Sequence, residues 1–159
     1  MKALKYIIQI PRYSLAGLLF YTATKKFVNY DAHLAHIRDV GFVPSRMADA
    51  TAMASILVEA GVATLLLLNY KRMQVWGWRT LTALMLVYSY YVYFILHIAT
   101  FVPCSCQGIS ESLSWPDHYW VNGAIAGIAL GMLYYHHRMG KQKRDEALGI
   151  GSISTVQTI

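Results

Sequence analysis

Four long apolar runs, at about residues 6–27, 47–68, 80–102 and 119–136 of a 159-residue chain, leave room for little besides a bundle of membrane-crossing helices. A helix needs roughly 20 apolar residues to cross the hydrocarbon core, where no water is available to satisfy backbone polar groups. The intervening segments each hold fewer than about 20 residues, short of the roughly 40 at which an independent core becomes feasible. With 56% hydrophobic and 14% charged residues, the chain is too apolar for an ordinary soluble domain, in which about a quarter of residues are charged. The expected fold class is therefore an all-α integral membrane protein, a four-helix transmembrane bundle forming one domain over residues 1–137. A basic then polar, flexible tail over residues 138–159 completes the expectation. Lys2 and Lys5 lead into a stretch broken by Pro11 and Arg12 without a small-residue cleavage site, so the first run reads as a retained helix.

The net charge of +6 would suit nucleic acid if it formed a patch, but it is spread over the ends of the apolar runs. Lys2 and Lys5 precede the first. Lys71, Arg72 and Arg79 fall in what reads as the turn between the second and third, and Arg138, Lys141, Lys143 and Arg144 follow the fourth. The segment from 103 to 118 holds no Lys or Arg. By the positive-inside rule both termini are cytoplasmic and that segment faces outward, as in a multi-pass protein of a bacterial inner membrane. Lys25 and Lys26 run against the rule, at the outer end of the first helix, and are expected to snorkel to the surface. The expected partners are the lipid bilayer and other proteins, not nucleic acid.

The only two cysteines stand one residue apart, in Pro103-Cys104-Ser105-Cys106-Gln107-Gly108. A Cys-x-Cys pair closes a small, strained ring whose bond is more readily exchanged than a relaxed structural disulfide. On an outer membrane face such a bond also forms and persists. Thiol–disulfide chemistry through Cys104 and Cys106 is the leading reading. One pair cannot run a two-pair relay, so electrons must pass to a quinone or to another protein.

Other residues supply candidate support. Arg12 in the first helix and Glu59 in the second lie on the order of 9–14 Å inside the same leaflet, where they can form a salt bridge; otherwise Glu59 is protonated or lines a wet crevice. The third run holds Tyr88, Tyr90, Tyr91, Tyr93 and His97. Of these, Tyr88, Tyr91 and His97 make a wall suited to a quinone head group, although tight aromatic packing accounts for them as well. His97 precedes Cys104 by seven residues, two turns of a continuing helix. His33 and His36, spaced i, i+3 among apolar neighbours, predict a short amphipathic helix on the outer surface and, less strongly, half a metal site. Gly123, Gly127 and Gly131 make a small-residue ridge expected to pack inside the bundle. After the cysteines, Ser114 or Asp117 can cap the last helix, Trp115, Tyr119 and Trp120 can anchor it at the headgroup level, and His118 is a nearby base for a thiol.

Taken together, Pro-Cys-Ser-Cys-x-Gly followed by Leu-Ser-Trp-x-x-His and then Asn122 resembles the MauE branch of the MauE/DoxX family of redox-associated membrane proteins. Arg12, the Gly17 to Phe20 stretch, Lys25 or Lys26, and Glu59-Ala60-Gly61 extend the likeness over roughly residues 5–136, with Ala23 where a glycine is common and an unusually Tyr-rich third helix as departures. The resemblance implies a four-helix bundle that works with an extracytoplasmic thioredoxin-like partner in disulfide formation or maturation of exported proteins. Two readings compete with catalysis. One is a non-catalytic subunit braced by its disulfide; the other is a soft-metal protein holding Cu or Zn through the two thiolates and His97 or His118. The sequence holds no nucleotide-binding loop, Ser-His-Asp order or haem-attachment motif.

Overall fold

A computed structural model describes residues 2–98 and 114–147, and every element in them is helical: α1 (Lys2–Val28), α2 (Tyr30–Val40), α3 (Ser45–Leu67), α4 (Lys71–His97) and α5 (Trp115–Ala147). Cys104 and Cys106 lie outside the described residues. The four long helices share one buried core, built from Leu15, Ala16 and Leu19 of α1, Val62, Ala63 and Leu66 of α3, Trp78, Leu81, Leu84 and Met85 of α4, and Ile125, Ala126 and Ala129 of α5. α3 is the hub, packing on α1, α2 and α4, while α4 packs on α5.

Large apolar side chains also cover much of the exterior. Leu57, Leu86, Val87 and Leu130 are all more than half exposed, which suits hydrocarbon and not water. α3 and α4 are long and apolar enough to cross a membrane on length and composition. Of the four expected spans, these are the two that pass that test. α1 and α5 bring buried polar groups to the bundle, Arg12 from the first and His118 and Asn122 from the second.

Several boundaries move. α4 begins at Lys71, nine residues before the expected start at 80, so Lys71, Arg72 and Arg79 belong to the helix and only residues 68–70 connect it to α3. The close contact of Gly77 with the end of α3 draws this first part of α4 into the bundle. A Cβ at Gly77 would stand 3.2 Å from the Leu66 nitrogen and 3.3 Å from the Leu65 carbonyl carbon. α5 runs on to Ala147, so the first ten residues of the expected flexible tail continue the helix.

The glycine ridge also departs from expectation. Gly123, Gly127 and Gly131 face outward, and a Cβ at any of them would meet nothing within 4 Å. The inward face of α5 is instead carried by His118, Asn122, Ile125, Ala126 and Ala129.

Arg12 is 5% exposed and reaches the end of α3. Its Nε donates to the Leu66 carbonyl at 2.5 Å, and one Nη donates to the Leu67 carbonyl at 2.8 Å and to Asn69 Oδ1 at 3.0 Å. A guanidinium here satisfies the last orphan carbonyls and sits at the negative end of the helix dipole. The Arg12–Glu59 salt bridge that the sequence allows is therefore absent, because each residue has nearer partners on a different turn.

α2 is too short to span a bilayer, at 11 residues. It ends at Gly41, whose φ of 66° is the left-handed C-cap that glycine adopts without strain. Ile37 packs with Ala48 and Ala52 of α3, and Tyr30 Oη donates to Asp49 Oδ1 at 2.8 Å. α2 is thus docked against the bundle.

Candidate functional site

Thr22 and Lys26, one turn apart on α1, converge on Glu59 of α3. Glu59 is 1% exposed, so an ionised carboxylate there needs partners. Lys26 Nζ forms an ion pair with Oε1, Tyr88 Oη of α4 donates to the same oxygen, and Thr22 Oγ1 donates to Oε2 at 3.2 Å. Lys26 Nζ also reaches Tyr88 Oη at 3.3 Å and lies 5.0 Å from the centre of that ring. A lysine expected to snorkel outward is turned in, because the buried carboxylate binds it more strongly than the surface does.

A second polar group forms where α5 begins. The Ser114 backbone N–H and Oγ both donate to Asp117 Oδ2, at 3.0 and 2.5 Å, closing the first turn as one arm of a capping box. These bonds hold the Asp117 carboxyl below its ordinary range. His118 Nδ1 lies 2.9 Å from the Ser114 carbonyl oxygen. A carbonyl only accepts, so Nδ1 carries the proton and Nε2 of the neutral ring is left as an acceptor. Trp115 stacks on His36 of α2, with centroids 5.7 Å apart and planes 10° from parallel. Tyr91 meets His36 edge-on at 6.5 Å and Phe42 at 5.5 Å. His33 points to α3, where Nε2 lies 3.0 Å from Ser55 Oγ. Ser55 donates its own proton to the Ala52 carbonyl, so its oxygen accepts from His33. Burial first, then Lys26 and His36, push the His33 pKa down to about 4. His36 is lowered too, chiefly by burial.

Between these two groups lies a cavity of about 610 Å³ reached by all five helices. Its wall is mostly aliphatic and aromatic, with Lys26, Glu59 and Tyr88 at one part and Tyr91, Trp115, His118 and Asn122 at another. Ala54 and Val58 of α3 and Ala83 and Val87 of α4 line it and are also exposed at the surface, so it opens sideways between those helices. Two of its polar atoms, Tyr91 Oη and His118 Nε2, are buried and have no hydrogen-bond partner among the described residues. Each such group costs about 1–3 kcal/mol while unpaired.

The cavity gathers Glu59, Tyr88, Tyr91, Trp115, His118 and Asn122 from the residues singled out in the sequence. Arg12 and His97 lie outside it. Arg12 caps α3, and His97 is exposed, packed on Tyr93 at 4.6 Å near the end of α4. The tyrosine wall thus splits, with Tyr88 and Tyr91 facing in and His97 facing out. His33 and His36 do not form half a metal site, since one binds Ser55 and the other stacks on Trp115. Sequence reasoning missed Lys26 as a site residue. Its signal was present: a lysine that ran against the charge rule, at the end of a helix expected to face outward.

The family model described as methylamine utilisation protein MauE matches residues 4–135. This chain belongs to the MauE family. The match takes in all of α1 to α4 except the first two residues of α1, and α5 through its inward-facing part, so every residue of the MauE cavity lies within it. No curated protein and no solved structure gives a significant match. Family membership and the two apolar helices make the chain a helical membrane protein.

Proposed function

We propose that this MauE protein is a membrane thiol–disulfide redox protein. Its Cys104–Cys106 pair, on the outer face of a bacterial inner membrane, exchanges electrons with an extracytoplasmic thioredoxin-like partner and so supports disulfide formation or maturation of exported proteins. The observation that carries the reading is the placement of the chain's only two cysteines in the segment joining α4 to α5, with the polar-edged cavity beginning where α5 starts, at Trp115 and His118. Exchange requires a thiolate, an accessible sulfur and a good leaving sulfur. His118 lies four residues beyond Ser114, where the described chain resumes, with Nδ1 on the Ser114 carbonyl, so that in the neutral ring Nε2 is the nitrogen that can act as a base for a thiol. The family's description links its members to methylamine utilisation, and a redox accessory role in maturing an exported enzyme is compatible with that setting.

The test is trapping. Cys104→Ser and Cys106→Ser are each combined with a thioredoxin-like partner that lacks its resolving cysteine and carries the remaining one as a mixed disulfide with thionitrobenzoate, which the attacking thiolate displaces; the reaction is quenched in acid and separated without reductant. One single variant should accumulate a mixed disulfide and the other should not. Full activity in both single variants would contradict the proposal.

A further inference from the structure

We propose that the cavity between α3, α4 and α5 is a binding site for the head group of a lipid-borne quinone, entering sideways from the bilayer. Four observations point to this ligand. The mouth lies between the two helices apolar enough to cross a membrane, and Val58 and Val87 at its edge are 46% and 59% exposed, so a ligand dissolved in hydrocarbon meets the opening directly. The volume of about 610 Å³ falls in the range of sites that enclose whole small molecules. The wall near α5 is built from flat rings, with Trp115 stacked on His36 and Tyr91 set edge-on to it, a surface that takes another planar ring.

The polar groups decide between a quinone and an acyl chain. An acyl chain would fill the space and leave Tyr91 Oη and His118 Nε2 unpaired. A quinone has two carbonyl oxygens that need donors, and Tyr91 O–H supplies one. Lys26 uses two of its N–H directions on Glu59 and Tyr88 among the described residues, and its third is a further donor. The hydroquinone instead presents hydroxyl groups, and His118 Nε2 is an acceptor for one of them. The site therefore has groups for both oxidation states.

Resting on the thiol–disulfide reading above, the quinone is the oxidant of the cysteine pair. In that step two S–H bonds break and one S–S bond forms. Two electrons and two protons pass to the quinone, whose two carbonyl oxygens become hydroxyls.

The experiment is a titration of full-length detergent-solubilised protein with a short-chain ubiquinone, read by quenching of tryptophan fluorescence. It is run in parallel on the Cys104→Ser/Cys106→Ser variant, on Tyr91→Phe and on Ala83→Trp, which fills the mouth from an exposed position and leaves the buried core intact. Saturable binding at one quinone per chain is expected for the wild type and for the cysteine-free variant. Tyr91→Phe should weaken it about 3- to 10-fold, the worth of one hydrogen bond, and Ala83→Trp should weaken it further. No saturable binding to the wild type, or equal binding to all four proteins, would overturn the site. Binding that behaves as expected while the cysteines fail to form a mixed disulfide would overturn the thiol-exchange reading and leave the site standing.

Discussion

Lys26 turns inward from the last turn of α1 and pairs with Glu59 in the interior of α3, the two side chains being 15% and 1% exposed. The pair ties α1 to α3 on the wall of the cavity, and through Tyr88 it includes α4 as well. Removing only the cation leaves a buried carboxylate without compensation, whereas removing both charges does not.

Lys26→Met should therefore destabilise the protein by about 3–5 kcal/mol. The double variant Lys26→Met/Glu59→Gln should recover much of that loss, since the glutamine amide still accepts from Tyr88. Thermal unfolding in detergent around a double-mutant cycle measures the coupling. Losses that simply add would show that the two groups do not depend on each other.

Arg12 acts at the C-terminal end of α3, as a cap and not as part of the cavity. Arg12→Ala should lower the melting temperature through three lost bonds, a cost of about 2–4 kcal/mol given that bonds to charged groups are worth about 1.5–3 kcal/mol each and do not add fully. Arg12→Lys should recover only part, because an ammonium lacks the planar fork. Quinone binding by the folded fraction should be unchanged, and a selective loss of binding without loss of stability would place Arg12 in the site after all.

The glycines divide into two kinds. Gly77→Ala pushes a Cβ against the backbone of Leu65 and Leu66 and should cost about 1–3 kcal/mol, the usual penalty of overpacking. Gly127→Ala meets open space and should be neutral or stabilising by up to about 1 kcal/mol from helix propensity. Melting temperatures of the two variants should move apart; equal losses would contradict the close approach of α4 to α3.

Docking of α2 should weaken in acid. His33 is 7% exposed and bonded to Ser55 of α3, and its pKa is about 4 against an ordinary 6.5 because burial, then Lys26 of α1 and His36 of its own helix, disfavour the imidazolium. Between these values the undocked helix binds the proton and the docked helix does not. Docking is then at full strength above pH 6.5 and declines as the pH falls toward 4. Amide exchange of residues 30–40, normalised for its intrinsic pH dependence, should show falling protection over that window. His33→Gln should reduce the pH dependence, and what remains should come from His36, which burial also disfavours as the imidazolium.

Much of this was legible in the residues and some was not. The apolar runs marked α3 and α4, because that signal is local; Trp115, His118 and Asn122 stood out as residues, but the face of α5 that His118 and Asn122 share was not legible. The partner of Glu59 was not legible. Both Arg12 and Lys26 lay within sequence reach, and the choice between them depends on how α1 slides along α3, which the contacts of many side chains determine together. The start of α4 was misplaced for a related reason: Lys71, Arg72 and Arg79 look like a polar turn until Gly77 lets that stretch pack against Leu66. The outward turn of the glycine ridge follows from the same long-range packing, which gives the core face of α5 to Ile125, Ala126 and Ala129.

If Cys104 and Cys106 form an exchangeable bond, the reduction potential of the pair must show it. Detergent-solubilised protein equilibrated in glutathione or dithiothreitol buffers, with free thiols counted by mass tagging, gives that value. A single two-electron transition well above the roughly −300 mV below which structural disulfides fall is expected. A lower potential, or thiols that never oxidise, would mean a structural brace or a metal site and would contradict an exchangeable bond.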